Sequence, residues 1–328
     1  AVVKLRFADQ ELAAECVTSI ASCAAKGRKR VHQEDLIHLV VAAATVGGDA
    51  DVLQPVIDPG VVSDLNTFLT ARLAWALATL QGEWGPVRSA VEARVVEARD
   101  KWNGQDVGNL AWAVATWGCR DPQVFDALST AGQRNSQLSA QNVSNIAWAF
   151  ATARAVDDVL WKHLSTRAVE VLTDCTVQHY CNITWAAASL QGDCGALLPA
   201  IGDCVAARCS TARGSLEARD AGSLAWGFAT ARVSHNGLFS CVAAALVGSV
   251  HPEQDRPNAR GPESQHSMLP AEAAPRQPVR WDSQSVSSVV WACATLQRAD
   301  DAVLHAVDQH LSEFAQSYSD QALANTVW

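Results

Sequence analysis

Apolar and polar positions recur along this chain in one helical pattern. Within residues 140–153, Val143, Ile146 and Phe150 share one face, Ala147 and Ala151 a second, and Gln141, Asn145, Trp148 and Thr152 a third. The pattern returns as Val107, Leu110 and Val114, with Ala111 and Ala115, and with Gln105, Asn109, Trp112 and Thr116. It returns again as Tyr180, Ile183 and Ala187 beside Gln178, Asn182, Trp185 and Ser189. Later copies carry Arg219, Ser223, Trp226 and Thr230, then Gln284, Ser288, Trp291 and Thr295, and the sequence ends inside a further copy, QALANTVW. The first face predicts core. The second is small, and so is the residue after each Trp: Ala76, Ala113, Ala149, Ala186, Gly227 and Ala292. Such a helix is crowded on most sides and is expected in an inner layer. Around Trp148 it is expected to start at Ser139, a suitable N-cap, and to run to about Ala153.

The spacing of the copies sets the architecture. With Val41 standing at the Trp position of an early copy, LIHLVVAAATV, the markers fall at 41, 75, 112, 148, 185, 226, 291 and 328, in steps of 34, 37, 36, 37, 41, 65 and 37 residues. The long step contains residues 251–280, which hold six of the eleven prolines and few large apolar residues. That stretch reads as a loop inserted between two repeats. A second helix follows each first one: DPQVFDALSTAG, DVLWKHLSTRAVEVL and DDAVLHAVDQHLSEFAQ all open on Asp, which suits the positive start of a helix. One helical hairpin cannot bury its own apolar surface, whereas stacked hairpins can. The expected fold is all-α: an α-solenoid of about eight helical-hairpin repeats with a period of about 37 residues and right-handed stacking of the helix pairs. The expected organisation is a helical segment with a basic turn over 1–32, repeats over 33–250, the Pro-rich loop over 251–280, and further repeats over 281–328 with the last one truncated.

Composition narrows the chemistry. The formal net charge of −9 argues against a protein that coats nucleic acid by charge alone, and leaves room for a local basic groove. The one dense positive run is KGRKR, whose Lys26, Arg28, Lys29 and Arg30 could touch phosphates or could be a solvated turn. Ten Cys form no CxxC pair, and nine His form no HxxxH or HExxH pattern. The thiols read as small core residues in a reducing compartment. With no phosphate loop, no GxSxG and no distinctive acid pair, neither catalysis nor a cofactor nor a metal is expected. No apolar run is long enough for a transmembrane helix; LFSCVAAALVGSV is too short and reads as a buried helix. A chain that opens at Ala1 fits a protein whose targeting leader has been removed, or one that begins upstream.

The third face leaves two readings open. Trp interleaved with Asn, Gln and Ser could stack on and hydrogen-bond unpaired RNA bases, giving Asn109, Asn145, Asn182, Ser223 and Ser288 as contacts. Equally, the Trp could fill the seam between units, with the amides capping backbone across it. Six residues before the Trp, the chain varies from copy to copy: Asp106, Asn142, His179, Asp220, Ser285 and Ala322. A varying polar position on a constant scaffold can select a base; in a scaffold without ligand it is merely solvent-exposed and free to drift.

Tandem units of this length carrying LSAQNVSNIAWAFATA and YSDQALANTVW resemble octotricopeptide repeats and related repeats in organellar proteins of algae, dinoflagellates and their relatives. The resemblance spans residues 33–328 apart from the Pro-rich loop, and is strongest between Trp75 and Trp226. It implies an α-solenoid that binds organellar RNA and acts in RNA metabolism or translation. The partners it implies are single-stranded or ribosomal RNA and the protein subunits of a large organellar complex, in the mitochondrion or, alternatively, the plastid. The rival expectation is a structural scaffold subunit of an assembly such as a mitochondrial ribosome, binding mainly protein. Arg219 and Ser223 depart from the Gln and Asn of the pattern.

Overall fold

A computed structural model describes residues 19, 32–47, 50–54, 57–211, 216–250, 281–298 and 301–327. Among these residues there is no strand. The helices are α1 (Gln33–Val46), α2 (Ala50–Leu53), α3 (Val61–Asp64), α4 (Thr67–Leu80), α5 (Gly85–Glu97), α6 (Gly104–Thr116), α7 (Pro122–Arg134) and α8 (Ala140–Ala153). They continue as α9 (Asp158–Glu170), α10 (Val177–Leu190), α11 (Leu197–Cys209), α12 (Ala218–Thr230), α13 (Asn236–Val250), α14 (Ser283–Thr295), α15 (Asp301–Phe314) and α16 (Asp320–Val327). The Trp helices α4, α6, α8, α10, α12 and α14 thus alternate with second helices, as the spacing predicts.

The chain forms two compact units, Ala1–Cys175 with Ser189–Asp193, and Thr176–Ala188 with Cys194–Trp328. In the first, α1, α4, α6 and α8 pack in succession as one layer, and α3, α5, α7 and α9 pack in succession as a second. In the second unit α12, α14 and α16 form one layer and α11, α13 and α15 the other. Each unit is a stack of helical hairpins, the architecture of an α-solenoid.

The predicted core face is core. Val107, Leu110 and Val114 are wholly buried, as are Val143, Ile146, Phe150, Tyr180, Ile183 and Ala187. Each large aliphatic side chain so buried contributes about 1.5–3 kcal/mol. The small faces are buried too, Ala111, Ala115, Ala147, Ala151, Ala225 and Ala229 among them. Close approach explains the size limit: a Cβ placed on Gly227 would lie 2.4 Å from Thr184 Cγ2, and one on Gly108 would lie 3.0 Å from Asn142 Nδ2. The residue before each Trp helix's cap is also buried: Leu65, Trp102, Leu138, Cys175, Leu216, Trp281 and Tyr318. In several repeats its carbonyl is held by the second helix. Arg167 Nε donates to Leu138 O at 2.8 Å, Asn135 Nδ2 to Trp102 O at 3.2 Å, and His310 Nε2 pairs with Trp281 O at 2.9 Å.

The segment Leu238–Val250 departs from expectation. Leu238, Val242 and Leu246 of α13 are buried, but Ser240 and Ala244 are exposed, because a helix of the second layer has one side open to solvent. No helix among the described residues is long and apolar enough to cross a membrane. The basic run Lys26–Arg30 and the Pro-rich stretch 251–280 lie outside the described residues.

Candidate nucleic-acid interface

With the other faces of α4, α6, α8, α10 and α12 buried, the Gln–Asn–Trp–Thr stripe is what remains open; in α14 Val290 is half-buried and Ala294 exposed as well. In the first unit Gln105 and Gln141 are exposed, while Asn109, Asn145, Trp75, Trp112 and Trp148 are half-buried. In the second unit Gln178, Arg219 and Gln284 are exposed, while Asn182, Ser223, Ser288, Trp185, Trp226 and Trp291 are half-buried. Each indole therefore has one part packed and one part accessible. The amides pair along their own helix: Gln141 Nε2 donates to Asn145 Oδ1 at 2.7 Å, Gln178 Nε2 to Asn182 Oδ1 at 2.8 Å, and Gln321 Nε2 to Asn325 Oδ1 at 2.9 Å. The copy in α4 is different. Phe68 and Arg72 replace the two amides, with the guanidinium 5.3 Å from the ring centroid. One turn past the Trp, the hydroxyls of Thr116, Thr152 and Thr230 are buried without a hydrogen-bond partner.

The position six residues before the Trp is not an open one, and both readings that presumed exposure are corrected by its place at the helix start. Asp106, Asn142, His179, Ser285 and Ala322 are buried, and Asp220 is half-buried. Each is the third residue of its helix. Asn103 Oδ1 accepts from Asp106 N–H at 2.9 Å while Asn103 N–H donates to Asp106 Oδ2 at 3.4 Å. Ser139 and Asn142 make the same reciprocal box, with Ser139 N–H donating to Asn142 Oδ1 at 3.1 Å. Thr176 N–H donates to His179 Nδ1 at 3.2 Å, and His179 N–H to Thr176 Oγ1 at 3.3 Å. Ser285 N–H donates to Asp282 Oδ1 at 2.8 Å and its hydroxyl to Asp282 Oδ2 at 3.1 Å. Asp106, Asn142 and His179 thus satisfy a backbone N–H at the helix start, while Ser285 bonds the side chain of its capping Asp282. The same residues contact the preceding Trp helix: Gly108 abuts Asn142, and Cys181 Sγ lies 3.7 Å from Asp220 O. Burial pushes the Asp106 and Asp220 carboxyls above the usual carboxylate range and His179 below the usual imidazole value.

A second regular feature was not singled out by the sequence pattern. Six residues after the Trp position the chain leaves the helix in the left-handed region. Gln81 (φ 54°), Arg154 (φ 56°), Gln191 (φ 52°), Arg232 (φ 56°) and Gln297 (φ 53°) stand there, as do Gly47 (φ 72°) and Gly118 (φ 82°). All seven are exposed. Glycine adopts this conformation freely; for other residues it costs roughly 1–2 kcal/mol. The signal in the sequence was the column itself, in which Gly alternates only with Gln and Arg.

Among the described residues no three His, Cys, Asp or Glu side chains converge to hold a metal ion. Cys119, Cys175 and Cys181 are buried, and burial pushes the Cys119 thiol up to about 11, so it stays neutral at physiological pH. A family model described as RNA-editing substrate-binding complex 6 protein matches residues 1–191. No curated protein matches.

Proposed function

This chain belongs to the RNA-editing substrate-binding complex 6 protein family, and from that premise we propose that it is an RNA-binding subunit of an organellar assembly that processes RNA. The open stripe of each unit holds single-stranded RNA by stacking bases on the half-exposed indoles, with Asn109 and Asn145 in the first unit and Asn182, Ser223 and Ser288 in the second hydrogen-bonding beside them. The supporting observation is the accessible Trp with a half-buried polar residue one turn ahead in six successive copies and an exposed polar residue two turns ahead in five of them, while the other faces of α4, α6, α8, α10 and α12 are buried. Octotricopeptide-type recognition and a mitochondrial location are part of the same proposal, the plastid being the alternative compartment. The test is retention of a randomised single-stranded RNA pool by the full chain at about 50 mM salt, with Trp fluorescence quenching as the sign of stacking. Trp112→Ala and Trp148→Ala should each weaken binding by about fivefold to 150-fold, the value of one base–aromatic stack. Melting temperatures that fall while RNA retention is unchanged would assign the indoles to packing.

The net charge of −9 favours a second reading, a scaffold subunit that binds mainly protein. Absence of retention by every RNA pool at low salt supports that reading against the first.

A further inference from the structure

The left-handed residue that ends each Trp helix poses a chemical question. Glycine would adopt that conformation without strain and stands there at Gly47 and Gly118. Asn is the usual exception, because its short amide can bond the local backbone. Here the exceptions are Gln81, Arg154, Gln191, Arg232 and Gln297, whose long side chains gain nothing of that kind. All five are exposed, and among the described residues none of the five side chains makes a hydrogen bond or ion pair. Neither capping nor packing accounts for the residue type. What the five have in common is reach and a planar group that can engage one nucleobase through two hydrogen bonds.

The location decides which part of a nucleic acid they would meet. A helix ends in a partial negative charge, which disfavours phosphate, so these side chains would meet bases rather than the backbone. Gln presents a donor and an acceptor in one plane, the match for adenine; Arg presents a two-pronged donor, the match for guanine. In single-stranded RNA these edges are free. We propose that Gln81, Arg154, Gln191, Arg232 and Gln297 read base edges of a single-stranded RNA, Gln taking adenine and Arg taking guanine, with Gly118 leaving its nucleotide unread. The proposal rests on the RNA-binding reading above and moves base selection from the start of each Trp helix to its end. It also implies a purine-rich ligand.

The experiment is enrichment of a randomised single-stranded RNA pool by the full chain, followed by sequencing, alongside melting curves. The wild type should enrich purines. Arg154→Gln should exchange a guanine preference for adenine at one position. Arg154→Lys, which keeps the charge and loses the fork, should drop the guanine preference by about fivefold to 150-fold. Arg154→Gly should do the same without lowering the melting temperature, because glycine relieves the left-handed strain. Unchanged base preferences in all three variants overturn the inference and leave RNA binding standing. A melting temperature that falls together with binding in Arg154→Gly overturns it as well, by making the position structural. A wild type that retains no RNA at low salt overturns both this inference and the reading beneath it.

Discussion

At the scale of single residues, the capping position shows why a polar side chain need not face a ligand. Asp106 is 2% exposed and its carboxylate accepts from the backbone N–H of Asn103. Burial raises its pKa more than that bond lowers it. A carboxyl whose folded pKa is raised stabilises the fold most below its unfolded value, about 3.9, and loses that contribution as pH climbs through the folded value. Asp106→Asn keeps the acceptor, as Asn142 demonstrates in the next copy, and removes the charge. The variant should therefore gain on the wild type in melting temperature as pH rises from about 4 through the folded pKa, and hold that gain above it. A difference that is flat across that range would show that the carboxylate is not paying for its burial. His179 behaves oppositely: burial depresses its pKa, so stability present above about pH 6.5 declines as pH falls, and protonation also removes the Nδ1 acceptor used by Thr176 N–H.

At the scale of elements, the Trp helices were legible because a helix buried on three sides leaves a strong periodic trace. The start of α8 after Ser139 and its end at Ala153 fall where the sequence places them. The cap boxes were not legible by column, because capping is a property of pairs: Asn103 with Asp106, Ser139 with Asn142, Thr176 with His179, Asp282 with Ser285. A column that varies while its partner three residues earlier varies in concert looks free when read alone. The contact of that column with the neighbouring helix is tertiary and leaves no local mark. The seam between helices holds another such pair. In α10 the residue before the Trp is Thr184 rather than Ala, and in α12 the residue after the Trp is Gly227 rather than Ala. The two substitutions compensate, since a Cβ on Gly227 would meet Thr184 Cγ2 at 2.4 Å. Gly227→Ala alone should cost about 1–3 kcal/mol in urea denaturation through overpacking. Adding Thr184→Ala should recover most of it and also removes a buried hydroxyl that lacks a partner. Additive losses in that double-mutant cycle would show that the seam does not set the pairing.

At the scale of the whole molecule, charge and salt separate the two functional readings. The chain carries −9 at pH 7, so added salt screens self-repulsion and should raise the melting temperature slightly. RNA affinity must move the other way, because each phosphate neutralised on a single strand contributes about 0.7 to the log–log salt slope. The open stripe supplies few cations, Arg72 in the first unit and Arg219 in the second. Affinity built on stacking and base edges rather than on phosphates therefore predicts a shallow slope, of magnitude below about 3, together with measurable binding at physiological salt. A slope nearer that of a charge-driven binder would place the contacts on a basic surface other than the Trp stripe. A protein partner gripped by the same indoles would instead bind with little salt dependence and would compete with RNA for fluorescence quenching. The sign and steepness of one salt titration thus distinguish stacking on RNA, phosphate binding elsewhere, and occupation of this face by protein.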